Sequence, residues 1–150
     1  AIMREANTVL AQSTRVTGQW TSEYGKAFTP LNRAKFPTNR EELQTAADNI
    51  IKTLDEHTKI SNEAIAKYEE AIALMSNEQQ RRGATLLVSA LKKSLHVTDM
   101  IKSQMHLVSD QTIVDEKSFN EKFTQILQQI NDVERETQAE FKEARRLLGM

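Results

Sequence analysis

Residues Leu43 to Met75 read LQTAADNIIKTLDEHTKISNEAIAKYEEAIALM, and in them Leu43, Ala47, Ile50, Leu54, His57, Ser61, Ala64, Tyr68, Ala71 and Met75 recur at alternating steps of four and three. This period lays a single stripe along one side of a helix. Ile51, Ile65 and Ile72 widen the stripe on one flank. A stripe sustained for so many turns needs partner helices along its whole length, because a half-apolar helix is stable only when that face is covered. At its middle the stripe turns polar, at His57 and Ser61.

The same pattern appears three more times. Met3, Ala6, Leu10, Ser13, Thr17, Trp20, Tyr24 and Ala27 form one stripe; Ala84, Leu87, Leu91, Ser94, Thr98, Ile101, Met105 and Val108 form another. The last runs Phe119, Phe123, Ile126, Ile130, Val133, Thr137, Phe141, Ala144 and Leu148. A repeat close to 3.5 residues predicts helices crossing at about 20°. Both prolines, Pro30 and Pro37, fall in one stretch, so Thr29 to Pro37 reads as a long connection. Thr38 with Glu41 and Ser76 with Gln79 have the form of capping boxes, Asp115 reads as a cap stapled by Ile113 or Val114, and Gly149 as a C-terminal cap. Short connections after the second and third helices force antiparallel neighbours. The predicted fold is all-α: one domain over 1–150, an elongated antiparallel up-down-up-down four-helix bundle with helices near 2–28, 39–75, 77–109 and 116–148. A helix of ~35 residues is about 50 Å long.

Composition removes several function classes. With 20 Lys plus Arg against 21 Asp plus Glu, no global field draws the chain to nucleic acid. Zero Cys excludes a disulfide scaffold, thiolate zinc and thiol catalysis, and is compatible with both extracytoplasmic and cytoplasmic locations. No apolar run approaches the ~20 residues of a membrane span. The chain opens at Ala1 inside a helical pattern, as a processed or trimmed chain would.

Metal chemistry in helical bundles uses inward Glu residues and Glu-x-x-His pairs. Here Leu54, Lys93 and Ser103 stand three residues before His57, His96 and His106. No HExxH, glycine-rich phosphate loop or GxSxG motif occurs, so no catalytic residue, metal site or cofactor is expected. Glu134, Arg135, Glu136, Glu140 and their neighbours read as a solvated face, as do Arg33, Lys35 and Arg40. Arg81 and Arg82 are unfavourable at a helix start, where the dipole prefers acids.

Two groups of residues stand out. In alternating helices Ser13, Thr17, His57, Ser61, Ser94 and Thr98 reach similar heights and form a polar layer. They either line a ligand cavity or satisfy themselves locally, as Ser and Thr do by bonding the carbonyl four residues back. Trp20, Tyr24, Phe28 and Phe36 concentrate at the proline end. They serve either as a partner-binding hot spot or as a plug for the bundle.

The sequence is therefore read first as a non-enzymatic interaction or scaffold bundle, its partner another protein or a second copy. The alternative is an extracytoplasmic four-helix sensor domain holding a small ligand between helices. Either way, chelator treatment should leave the thermal melting curve, followed by circular dichroism, unchanged. A chelator-induced drop in melting temperature would overturn the metal-free assignment.

Overall fold

Why one face of each segment is apolar and where each segment stops together determine the architecture. The computed structural model describes residues 2–150, among which no strand occurs. Five helices follow in order: α1 (Ile2–Ala27), α2 (Pro30–Ala34), α3 (Arg40–Leu74), α4 (Glu78–Ser109) and α5 (Glu116–Leu148). The fold is all-α. None of these helices is long and apolar enough to cross a membrane.

The connection expected over Thr29 to Pro37 contains a short helix, α2. Thr29 caps it by accepting from the Asn32 N–H at 3.1 Å, and Pro30 stands at its start, where a missing N–H costs nothing. Asn32 then donates to the Lys26 and Ala27 carbonyls, satisfying the end of α1. Two caps lie one residue further on than the sequence predicts. The Thr38 hydroxyl is taken by the Lys35 carbonyl, so α3 starts after Asn39. Asn77 caps α4 in place of Ser76, accepting from the Gln80 N–H at 2.9 Å. Asp115 does cap α5, accepting from the Ser118 N–H at 2.7 Å. Beside it Ile113 is buried among the core residues, whereas Val114 is exposed. Gly149, at φ 71°, closes α5 in the left-handed conformation that favours glycine. Arg81 has a use that its own helix does not explain: its guanidinium donates to the Met75 carbonyl at the end of α3, at 2.8 Å.

Backbones pack α1 on α3, α3 on α4, α4 on α5, and α2 on α5. Ser13 with Ser61 and Asn7 with Tyr68 link α1 to α3; Asp55 with Lys102 and Glu69 with Lys92 link α3 to α4. Glu140 joins Ser89 and Lys93 across α4 and α5. α4 and α5 approach so closely at one end that a Cβ on Gly83 would lie 2.8 Å from Leu148 Cγ. At the opposite end the fully buried Gln104 ties three helices. Its Nε2 donates to the Phe123 carbonyl at 3.1 Å, and its Oε1 accepts from the Tyr24 hydroxyl at 2.8 Å. Burial pushes the Tyr24 pKa up to about 12, so the phenol stays a donor at any ordinary pH.

The α3 stripe is buried from Leu43 through Ala71, as its period requires. On α1 the buried residues are Ala6, Val9, Ser13 and Val16, a stripe turned towards α3, while Leu10, Thr17, Trp20 and Tyr24 are only half-buried. Truncating Leu54, which is fully buried, to Ala should cost about 2–5 kcal/mol in urea unfolding. Leu74→Ala, at a position 73% exposed, should stay within about 0.5 kcal/mol of wild type. Equal losses at the two positions would contradict this packing.

Candidate functional site

Two apolar clusters, not one, make up the core. Along α3 the first ends at Leu54 and the second begins at Ala64; along α4 the corresponding residues are Val97 and Leu91. Between them lie Ser13, His57, Ser61, Thr98 and Thr137, all buried, with Thr17 and Ser94 half-buried. The polar layer thus separates the two halves of the core. Thr137 completes it from α5. Its place in the α5 stripe between Val133 and Phe141 is the signal that marks it.

Buried polar groups need partners. Ser13 Oγ lies 2.8 Å from Ser61 Oγ. His57 Nε2 stands 3.3 Å from the Thr17 hydroxyl, 3.4 Å from that of Ser61 and 3.5 Å from that of Ser13. The imidazole therefore gathers three hydroxyls from α1 and α3. Its Nδ1 is buried without a partner among the described residues. Burial, with a smaller effect from the positive charge of Lys102, holds the His57 pKa below the ordinary histidine range. The ring is neutral at pH 7. The threonines use their protons within their own helices. Thr17 donates to the Ser13 carbonyl at 3.1 Å, Thr98 to that of Ser94 at 3.2 Å and Thr137 to that of Val133 at 2.8 Å.

A cavity of about 240 Å³ opens at this layer. Side chains of α1, α4 and α5 form most of its wall, with His57 contributed by α3. Of the six residues expected to form a ligand layer, Ser13, Thr17, His57, Ser94 and Thr98 line the cavity, and Ser61 stands behind them, bonded to Ser13. Glu134, Gln138, Phe141 and Arg145 line it from α5; of these the sequence places Phe141 in the stripe and Glu134 and Arg145 on a solvated face, and Gln138 carries no signal of its own. Glu134 is exposed overall, but desolvation at the edge of the cavity raises its carboxyl above the ordinary value.

Of the aromatic residues at the proline end, two are buried and two half-buried. Phe28 and Phe36 are buried, Phe28 stacked on Phe123 at 5.8 Å between centroids and Phe36 on Phe119 at 4.2 Å. Tyr24 stacks against both Phe28 and Phe123. These rings plug the end of the bundle, and Arg33 and Arg40 cover the plug by lying over Phe123 and Phe36 at 4.5 and 4.7 Å. Trp20 differs: it is half-buried and lines the cavity. Comparison of the chain with protein-family models, with curated proteins and with solved structures gives no match.

The lowered His57 pKa fixes the sign of a pH effect. The unfolded chain binds a proton at His57 more readily than the folded one, so stability contributed here is present above about pH 6.5 and is lost as the pH falls below it. Melting temperatures at pH 7.5 and 5.5 should therefore differ more for wild type than for His57→Gln. An equal acid loss in the two proteins would show that the ring is not held neutral.

Proposed function

We propose that this chain is a non-enzymatic helical bundle that binds a small molecule between its helices, at the polar layer. The coincidence of that layer with a cavity carries the reading: hydroxyls from three helices, the neutral His57 and the Trp20 ring meet around one space. Sites of this kind combine an apolar wall with a few polar groups that set orientation. A space of about 150 Å³ accommodates benzene, so one of about 240 Å³ admits a body of roughly ten non-hydrogen atoms.

We further infer an up-down-up-down course for the four long helices. Its support is the order in which residues meet: Asn7 with Tyr68 but Thr17 with His57, Asp55 with Lys102 but Glu69 with Lys92, and Gln104 with Phe123 but Ser89 with Glu140. In each pair of helices one number rises as the other falls. Such a course brings the start of α1 and the end of α5 to the same end of the bundle, which suits a sensor.

The interaction-bundle reading ranks second. Leu31, Leu74, Val114 and Met150 are large, exposed and apolar, but they come from separate segments, and scattered apolar residues are ordinary on a protein surface.

Thermal-shift screening of a fragment library against wild type and Ser94→Leu tests the ligand reading. A compound at a hundred times its dissociation constant stabilises the folded state by about 2.7 kcal/mol, roughly 5–10 °C for a chain of this size. At least one such compound should act on wild type and lose its effect in the variant, whose larger side chain fills the space. The absence of any stabiliser, or shifts indifferent to the substitution, would favour the interaction bundle.

A further inference from the structure

The hydrogen-bonding polarity of the cavity wall identifies the class of ligand, provided that the cavity is a ligand site as proposed above. A hydroxyl has one proton to give and two lone pairs to accept with. Thr17, Thr98 and Thr137 each spend that proton on the carbonyl four residues back. What remains for the cavity is their acceptor capacity. His57 adds no donor: its Nε2 is occupied by hydroxyls and its Nδ1 is covered from solvent. The Trp20 N–H is covered as well, so the indole faces the cavity as carbon. The three threonines thus offer acceptors to a donor-bearing ligand, while Ser94 and Gln138 line the same space with polar groups that can either give or accept a proton.

Charge points the same way. Glu134 lines the cavity without an ion-pair partner among the described residues, and its negative charge is felt at Tyr24, next to Trp20. A carboxylate, hydroxyl acceptors and an aromatic face are the three elements that hold an ammonium group. Arg145, the other charged residue of the wall, is eleven residues along α5 from Glu134, roughly 16 Å away by helix rise. Between the two ends Leu10, Leu87, Leu91 and Phe141 provide apolar wall.

We propose that the cavity takes a small primary amine in its ammonium form, its charged head among the threonine hydroxyls beside Glu134 and its apolar body along Leu10, Leu87 and Phe141. A carboxylate placed at this end would meet the Glu134 charge, and the guanidinium that could pair with it, that of Arg145, stands at the far end of the cavity. A neutral alcohol would forgo the ion pair. A diamine of matching length would bring its second charge towards Arg145.

Isothermal titration of the whole chain at pH 7 with 2-phenylethylamine, 2-phenylethanol and 3-phenylpropionate, three probes of similar shape, tests this. The amine should bind with a dissociation constant at least about tenfold below those of the other two, the factor that one charge-assisted hydrogen bond contributes. Glu134→Gln should remove that advantage and leave 2-phenylethanol unaffected. Glu134 is exposed, so the variant should melt with wild type, and an unchanged melting curve confirms that the loss is one of recognition. Thr98→Val, which deletes one acceptor, should weaken the amine more than the alcohol. Equal or tighter binding of the alcohol or the acid, an indifferent Glu134→Gln, or no amine binding at millimolar concentration would each overturn the assignment. If library compounds that are not amines still bind at the layer, only the ligand class fails; if nothing binds there, the cavity reading fails with it.

Discussion

A half-apolar helix must bury its stripe along its full length, and in this chain the stripes stop being apolar halfway along. That conflict shapes the molecule. Where the stripes carry Leu, Ile, Val, Phe and Ala, helices close over them and form two dense clusters. Where they carry Ser, Thr and His, hydroxyls must be paired before helices can close, since an unpaired buried polar group costs about 1–3 kcal/mol. The pairing is largely local on α4 and α5, where each buried threonine bonds its own helix. Between α1 and α3 it crosses the interface, through Ser13, Ser61 and His57.

Side-chain size explains why a cavity forms where it does. Gly83 lets α4 and α5 approach until Leu147 and Leu148 occupy the space that a side chain there would take, which fixes the spacing at one end. At the other end the rings of Tyr24, Phe28 and Phe123 stand between α1 and α5. Halfway between these supports the facing residues are short, namely Ser13, Thr17, Ser94 and Thr137. Helices drawn together at one end by the close approach at Gly83, held apart at the other by aromatic rings and lined at their middle by short side chains leave space there, because those side chains cannot reach across the gap. The same Ser and Thr residues that interrupt the core chemically are thus too small to fill it.

The periodicity of the chain made its all-α character legible, and the unbroken four-three spacing from Leu43 to Ala71 made the inner face of α3 legible residue by residue. The polar layer was legible too, because polar residues within a stripe are conspicuous. What escaped the sequence was decided by competition between near-equal partners. The Thr38 hydroxyl could accept from the first turn of α3 or donate backwards, and it donates to the Lys35 carbonyl; Asn77, with a longer side chain, caps α4 in place of Ser76. The short α2 escaped because two prolines usually mark a loop, whereas Pro30 here opens a helical turn that Thr29 caps. Glu134 and Arg145 looked like members of a charged outer face. Only the turn of α1 towards α3, which no period reveals, leaves α5 uncovered enough for both to border the cavity.

His57 is the residue whose chemistry ties this arrangement together. An aliphatic side chain at that position would fill volume but leave Ser13 and Ser61 bonded only to each other and Thr17 only to its own helix. A lysine would bring a charge that burial disfavours, beside the positive charge of Lys102. Neutral imidazole meets both demands: it is planar enough to pack between two helices, and its Nε2 reaches all three hydroxyls. Ser13 and Thr17 stand one turn apart on α1, and Ser61 stands one turn from the ring on α3, so a shift of α1 by one turn would break the set across the interface at once. Polar contacts of this kind discriminate between registers that apolar contacts, being non-directional, would tolerate. The layer therefore fixes how α1 and α3 align, and in doing so holds the α1 side of the cavity in place.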